Sequence, residues 1–167
     1  RSLPLLDAFH TSVEFANTAP SVPLQRLQQK IRSRIAQEQE LVIDPELFQV
    51  LAQRLPRIGH AETPLRRGRF HNEMIAFRYD ALLQLDRPPD NSGSPGRPAR
   101  SMDWRDQPLL PGTLERILAE EAPESIEISG MANARTAEAA RLHYALFRAN
   151  ASGMVGDLRN ILRDQVA

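Results

Sequence analysis

The first third of the chain carries apolar residues that recur three or four positions apart, which predicts amphipathic helices. Three such stripes are present: Leu3, Leu6, Phe9, Val13 and Ala16; Leu24, Leu27, Ile31 and Ile35; and Leu47, Phe48 and Leu51. Ser21 is a candidate cap for the second helix, with Pro23 in its first turn. Asp44 and Pro45 begin the third helix, and Pro56 ends it. We expect the three stripes to be buried.

The middle of the chain predicts two strands. Residues 58–65 predict a strand at a sheet edge, because Gly59 and Pro64 disfavour a central position. From residue 75 the apolar period becomes two, which predicts a strand over 75–85. Its apolar face comprises Ile75, Phe77, Tyr79, Ala81, Leu83 and Leu85. Strands separated by about ten residues most simply form an antiparallel pair.

Proline, glycine, serine and aspartate dominate residues 86–102 (DRPPDNSGSPGRPARSM), which predicts a mobile linker. Beyond Trp104 the pattern predicts a helix and then a short strand over 125–129. Helices over 136–150 and 155–165 complete the chain.

These elements divide the chain into three segments. Residues 1–85 form one unit of helices and the strand pair, 86–103 form the linker, and 104–167 form a helix–strand–helix appendage. The predicted fold class is mixed α/β, or α+β for this stretch alone, with helices dominant.

Composition narrows the functional classes. The chain has 21 Lys+Arg and 21 Asp+Glu, without the basic excess typical of nucleic-acid binding. The absence of cysteine excludes disulfide scaffolds, thiolate metal sites and cysteine nucleophiles. No apolar run approaches the ~18 residues of a membrane-spanning helix, and residues 1–10 lack a signal-peptide pattern. We therefore expect a cytoplasmic protein without nucleic acid, membrane or metal partners.

His10 and Glu14 lie four positions apart on the first predicted helix, so their side chains can meet on its polar side. One interpretation is a general base supported by a carboxylate, with Glu14 also a candidate for contacting substrate. The other is a solvated or hydrogen-bonded surface pair, which is the more common state at this spacing.

The densest polar cluster is His71-Asn72-Glu73, which leads into Phe77-Arg78-Tyr79-Asp80. In a strand, alternation places Arg78 and Asp80 on the face opposite Tyr79. Glu73 lies just before the predicted strand, where a polar side chain can enter a cleft. An ordinary turn and a half-buried strand with surface ions fit the same pattern.

Several stretches resemble one family. Residues 72–81 (NEMIAFRYDA) resemble the N-E-L-S-x-Y-R-Y-x-A motif of methyltransferase domains embedded in nonribosomal peptide synthetases and their polyketide hybrids. Residues 1–16 (RSLPLLDAFHTSVEFA) look like the segment after the fifth strand of those domains. Residues 37–60, which begin QEQELVIDP, and 66–73 (RRGRFHNE) match further stretches of the family, and 126–135 (IEISGMANAR) resembles its last block.

This resemblance implies the C-terminal part of a class I, Rossmann-like methyltransferase, whose last two strands form an antiparallel pair. The glycine-rich loop that holds S-adenosylmethionine would lie upstream of Arg1, in the N-terminal half of the domain. The chain itself contains no G-x-G and no initiator Met, in agreement with a stretch cut from a longer polypeptide.

The resemblance also implies roles for individual residues. His10 and Glu73 are the candidate bases that remove a proton from the acceptor. Asn72 and Tyr79 are candidates to orient the acceptor carbonyl, with Tyr79 the next catalytic candidate. Arg78 is expected to anchor Glu73 or another carboxylate beside the substrate.

The implied acceptor is an aminoacyl, peptidyl or acyl thioester on the phosphopantetheine arm of a carrier domain. Arg66, Arg67 and Arg69 are candidates to meet an acidic carrier, although a solvated turn fits them equally well. Ile75 and Phe77 depart from the family motif, and Arg135 lacks the continuation seen in some N-methylating members, which leaves N- and C-methylation open.

A second hypothesis is a non-catalytic, methyltransferase-like module that holds neighbouring synthetase domains. The parent sequence directly upstream would discriminate the two, because an active domain needs a glycine-rich turn after a strand.

Overall fold

A computed structural model describes residues 1–70, 72–86, 100–106, 110–148 and 153–164. The helices are α1 Leu6–Ala16, α2 Leu24–Ala36, α3 Glu46–Arg54, α4 Glu73–Ala76, α5 Pro111–Glu120, α6 Ala137–Arg148 and α7 Val155–Asp164. The strands are β1 Ile58–Glu62, β2 Leu82–Leu85, β3 Arg100–Asp103 and β4 Ile126–Ser129. No helix in these ranges has the length and apolar character needed to cross a membrane.

The chain forms two compact units, Arg1–Arg87 with Ala134–Ala167, and Pro88–Asn133. In the larger unit α1 packs against both α2 and α6. Its main core joins α2, α6 and α7 through Leu24, Leu27, Ile31, Leu142, Leu146, Val155 and Leu158. The predicted appendage 104–167 therefore does not stand apart, because the apolar stripes of α6 and α7 pack against the N-terminal helices.

The second predicted helix begins at Leu24 rather than after a Ser21 cap. Pro23 is the N-terminal flanking residue, and no side chain caps the helix. The Leu24 N–H donates instead to the Gly153 carbonyl at 3.0 Å. This long-range bond satisfies a donor that a serine cap usually takes.

The third helix forms as predicted, but its apolar residues are not buried. Leu47 is 44% exposed, and Phe48 and Leu51 are half-buried. Phe48 lies edge-on to Tyr79, with ring centroids 6.1 Å apart. The helix packs against β1, and this contact leaves part of its apolar stripe exposed.

The antiparallel pair is confirmed, and its second strand is shorter than predicted. Ala61 pairs with Leu83 and Glu62 with Leu82, and the register shifts between Ile58 and His60. The strand predicted over 75–85 is wrong before residue 82, because the first residues form α4. Local capping explains the difference and overrides the period-two pattern, since the Asn72 side chain accepts the backbone N–H of Ile75.

As a result, the residues of the apolar face predicted for the 75–85 strand do not share one environment. Phe77 is buried, whereas Leu83 and Leu85 on β2 are exposed. Tyr79 still makes an isolated antiparallel bridge, to Leu65.

The smaller unit contains β3 and β4 as a parallel pair, with α5 between them in sequence. The predicted linker is therefore wrong at its end, because Arg100–Asp103 pair with Ile126–Ser129 and gain ladder hydrogen bonds. Gly130 follows β4 at φ +71°, where an added Cβ would collide with Asp103. The rest of the predicted linker, residues 87–99, lies outside the described residues.

The core of the larger unit yields a stability prediction. Ile31 is 0% exposed and Ile161 on α7 is 53% exposed. We expect Ile31→Ala to lower the free energy of unfolding by about 2–5 kcal/mol, because it leaves a cavity. Ile161→Ala should cost about 0.5 kcal/mol. Urea denaturation of both variants measures the difference, and equal losses would contradict the assignment of the core.

Candidate functional site

A polar cavity of about 710 Å³ lies in the larger unit, beside α1. Helix α1 contributes His10 and Glu14, α2 contributes Lys30 and Arg34, and the segment after α2 contributes Glu38. This polar cavity therefore joins a histidine to carboxylates and cations from separate stretches of the sequence.

An ion-pair chain begins in the polar cavity and runs in the order His10, Glu38, Arg1, Glu40, Arg78, of which the first three line the cavity. Glu38 Oε2 lies 2.9 Å from His10 Nε2 and 2.6 Å from Arg1 Nη1. Glu40 accepts from Arg1 Nη2 at 2.8 Å and from Arg78 Nη2 at 2.9 Å. Residues from three distant stretches thus meet through two glutamates.

Glu38 is the central carboxylate of this chain. The backbone N–H of Glu40 donates to Glu38 Oε1 at 2.9 Å. This bond lowers the pKa of the Glu38 carboxyl; partial burial opposes the shift, and His10 and Arg1 add to it. The carboxylate is therefore ionised near neutral pH and can only accept hydrogen bonds.

The ionised state of Glu38 determines the tautomer of His10. Because an ionised carboxylate cannot donate, His10 Nε2 must carry the hydrogen that joins them. In the neutral ring, Nδ1 then holds the free lone pair. The His10 side chain is 12% exposed, with its ring 5.0 Å from that of Phe9 and inclined edge-on. The arrangement is a carboxylate-oriented imidazole, the form that general bases often take.

The predicted pair of His10 with Glu14 is not formed. Glu14 Oε2 binds Lys30 Nζ at 2.6 Å and its Oε1 binds Arg34 Nε at 3.0 Å. The two cations lie one turn apart on α2, which packs against α1. Each of them binds one oxygen of the Glu14 carboxylate, so His10 pairs with Glu38 instead. Glu14 and His10 nevertheless line the same cavity.

The Glu14 carboxyl is buried, with 6% of the residue exposed. Burial raises the pKa of this carboxyl, but hydrogen bonds and charges from Lys30 and Arg34 together bring the pKa below its usual value. A cation contact thus keeps a buried carboxylate ionised.

Asn72 and Glu73 lie at the start of α4 rather than in the polar cavity. Asn72 Oδ1 accepts the Ile75 N–H at 3.2 Å as a helix cap. Glu73 is an exposed residue of the first turn of α4, where a carboxylate interacts favourably with the helix dipole. Asn72 borders a separate cavity of about 150 Å³ with Arg135.

Arg78 and Tyr79 are turned toward the segment after α2. Arg78 forms an ion pair with Glu40 and not with Glu73. The Tyr79 hydroxyl donates to the Ile43 carbonyl at 3.0 Å, which uses its only proton. Burial raises the pKa of the Tyr79 hydroxyl, and the charge of Asp44 adds to the increase.

Sequence reasoning missed Arg1, Glu38 and Glu40 as members of the site. A signal was present, because Glu38 and Glu40 fall in the QEQELVIDP stretch and Arg1 opens RSLPLLDAFH. Spacing alone gave no indication that these stretches touch.

In the basic turn 66–69, Arg66 makes contacts within the fold. The Arg66 carbonyl accepts Arg135 Nη1 at 2.8 Å, and Arg66 Nε lies 3.5 Å from Asp80 Oδ1. Arg67 and Arg69 are exposed. The described residues contain no group of three or more His, Asp or Glu arranged to hold a metal ion.

Comparison with known proteins shows that the homologues are nonribosomal peptide synthetases. The chain is 36% identical over 159 residues to chondramide synthase of Chondromyces crocatus, covering 91% of this chain and 4% of that protein. It is 33% identical over 89 residues to a nonribosomal peptide synthetase of Penicillium thymicola, covering 53% and 3%. It is 32% identical over 81 residues to the bassianolide nonribosomal cyclodepsipeptide synthetase of Beauveria bassiana, covering 46% and 2%. No protein-family model matches the chain.

The pairing of Glu14 predicts a pH-dependent stability. Because its folded pKa lies below the usual 4.5, Glu14 stabilises the fold above pH 4.5 and loses this effect as pH falls through the lowered value. We expect Glu14→Gln to cost about 1–3 kcal/mol at neutral pH and nothing at pH values where Glu14 is protonated. Urea denaturation from acid to neutral pH measures both.

Glu46→Gln is the matched control, since Glu46 is an exposed carboxylate on α3. It should leave the pH dependence of unfolding unchanged. An unchanged profile in Glu14→Gln would contradict the assigned role of the pair.

Proposed function

We propose that this chain is the acceptor-side part of an S-adenosylmethionine-dependent methyltransferase domain that methylates a carrier-bound aminoacyl, peptidyl or acyl thioester during nonribosomal peptide synthesis. The proposal rests on the observation that family-like stretches from different parts of the sequence contact one another. Three stretches that resemble the methyltransferase family, 1–16, 37–60 and 72–81, meet through the ion-pair chain. A synthetase homologue that aligns with 91% of the chain supports the same context.

S-Adenosylmethionine would supply the methyl group. The chain has no G-x-G turn, and each carboxylate of the polar cavity is already engaged by a cation or a histidine, so no residue here is assigned to hold the cofactor. The resemblance places the cofactor site upstream of Arg1. The residues of this chain are assigned to the acceptor alone.

Methyl transfer is an in-line displacement that requires an aligned nucleophile without its proton. His10 Nδ1 is the proposed proton acceptor, because Glu38 holds the other ring nitrogen at 2.9 Å. The positive charge that develops on the ring would be stabilised by the ionised Glu38. His10 lines the polar cavity, whose volume of about 710 Å³ can admit an extended acyl group.

The remaining candidates are assigned positioning functions. Arg78 holds Glu40, and Glu40 with Glu38 holds Arg1, so Arg78 acts on the site through two ion pairs. Tyr79 fixes the segment after α2 through the Ile43 carbonyl. Asn72 caps α4. Glu73 remains the second candidate base, on an exposed turn outside the polar cavity.

The proposed partners are the upstream half of the domain and a carrier domain bearing the phosphopantetheine-linked substrate. Arg67 and Arg69 are exposed cations on the basic turn 66–69 and are suited to an acidic carrier surface.

A second candidate function is the non-catalytic module. Glu14, Glu38 and Glu40 are each paired with at least one cation, which is also typical of ion-pair clusters that serve only the fold. In that case the ion-pair chain would stabilise a structural element between synthetase domains.

Methyl transfer by the intact wild-type domain separates the two functions, and replacement of His10 tests the proposed base. In the intact methyltransferase domain, we expect His10→Ala and Glu38→Gln to lower single-turnover methyl transfer to a loaded carrier by roughly 10²-fold. Binding of S-adenosylmethionine should be retained, because its proposed site lies elsewhere. Stopped reactions with labelled methyl donor give the rate, and calorimetric titration gives the affinity.

His60→Ala is the matched control. His60 Nε2 also lies 2.9 Å from a glutamate, Glu62, but its side chain is 42% exposed and outside the polar cavity. It should retain the wild-type rate. Glu73→Gln in the same assay tests the second base, since a loss confined to that variant would transfer the role. Full rates in the His10, Glu38 and Glu73 variants would exclude all three residues as the base, whereas no methyl transfer by the intact wild-type domain would favour the structural module.

Tyr79→Phe tests the positioning role. It removes one hydrogen bond and keeps the ring against Phe48, so we expect a stability loss of about 1 kcal/mol. The turnover of the folded enzyme should stay near the wild-type value. A thermal melt and the methyl-transfer assay measure the two effects, and a lost rate in a fully folded variant would place Tyr79 at the acceptor.

A further inference from the structure

A second cavity, of about 830 Å³, lies on the opposite side of α1 and is here called the arginine groove. Helix α1 supplies Ser12, Phe15 and Ala16 to it, whereas His10 and Glu14 face the polar cavity. Helices α6 and α7, together with Phe77 and Arg135, form the rest of its lining. The arginine groove is therefore not part of the proposed methyl-transfer site.

The floor of the arginine groove is apolar. Phe15 and Leu162 are partly buried and pack against the main core, and Leu142 belongs to that core. Ala139 and Phe77 belong to the smaller core cluster with Phe9. Such a floor gains free energy when an apolar surface covers it.

The rim of the arginine groove is cationic. Among the described lining residues it carries Arg135, Arg141, Arg159, Arg163 and a single acidic residue, Glu138. Arg159 is used by the fold, since its Nη2 donates to the carbonyls of Phe15 and Thr18 at the end of α1. Arg141 and Arg163 are exposed on α6 and α7. An occupant that complements this rim must be acidic.

The shape of the arginine groove favours a helix over a small anion. Its walls are helices, and a further helix packs into such a wall with its axis 8–10 Å away. The cations come from the coil before α6, from α6 and from α7, so one carboxylate or phosphate group would complement only part of the rim. An amphipathic helix offers an apolar stripe to the floor and acidic residues along both flanks.

We propose that the arginine groove binds an amphipathic helix of a partner protein, with an apolar stripe against Phe15, Leu142 and Leu162 and acidic flanks against Arg141 and Arg163. This inference does not depend on methyl transfer, because the groove shares no lining residue with the polar cavity.

The test uses the full chain and a fluorescein-labelled synthetic helix of about 18 residues, with leucines at i, i+3, i+4 and i+7 and glutamates beside them. Fluorescence anisotropy should give saturable binding that weakens when NaCl is raised from about 0.05 M to about 0.5 M. The same peptide with lysine in place of glutamate should not bind.

Charge reversal locates the site. We expect the double variant Arg141→Glu and Arg163→Glu to weaken binding by at least about tenfold. Arg26→Glu is the matched control, because Arg26 is an exposed arginine on α2 outside the groove, and it should bind as the wild type does. Ala16→Trp fills the groove from an exposed position without removing any charge, and should also weaken binding.

Three results would overturn the proposal. These are equal binding of the lysine peptide, equal loss in Arg26→Glu, and binding of dodecanoate, used below its micelle concentration, by a chain that does not bind the glutamate peptide. The last result would assign the groove to a small amphipathic anion. Circular dichroism melts of each variant establish that a lost signal comes from the groove and not from unfolding.

Discussion

The carboxylate of Glu38 is the contact on which the arrangement of the polar cavity depends. It receives donors from His10, Arg1 and the Glu40 backbone, so one side chain holds α1, the start of the chain and the segment after α2 together. A partly buried carboxylate with this many donors is costly to leave unpaired. The contacts therefore select one position for the segment after α2, and that position places Glu40 against Arg78 and Ile43 against Tyr79.

Helices were the part of the fold that the sequence predicted well. The stripe Leu24, Leu27 and Ile31 corresponds to the observed core, because a helix that buries one face must repeat it every three to four residues. The strand over 75–85 failed where the Asn72 cap outweighed alternation. A period-two pattern over few residues is weak evidence for a strand, since the same residues can form a helical turn when a side chain caps it.

The site was predictable only in part. His10 was predicted as a candidate base and lines the polar cavity, but its partner was predicted from helical spacing to be Glu14, whereas Glu38 lies 28 residues away in sequence. Ion pairs between distant segments follow from tertiary packing, which no local pattern encodes. The resemblance of QEQELVIDP to a family stretch marked Glu38 and Glu40 without indicating what they contact.

The order of the two units along the chain has a consequence for synthesis on the ribosome. The smaller unit, Pro88–Asn133, interrupts the larger one, so α2 is made long before α6 and α7, which complete its core. At translation rates of about 5–20 residues per second, α6 and α7 are synthesised seconds to tens of seconds after α2. During that interval Leu27 and Ile31 have no native partners from α6 or α7, and the nascent chain is a substrate for chaperones that recognise exposed apolar segments.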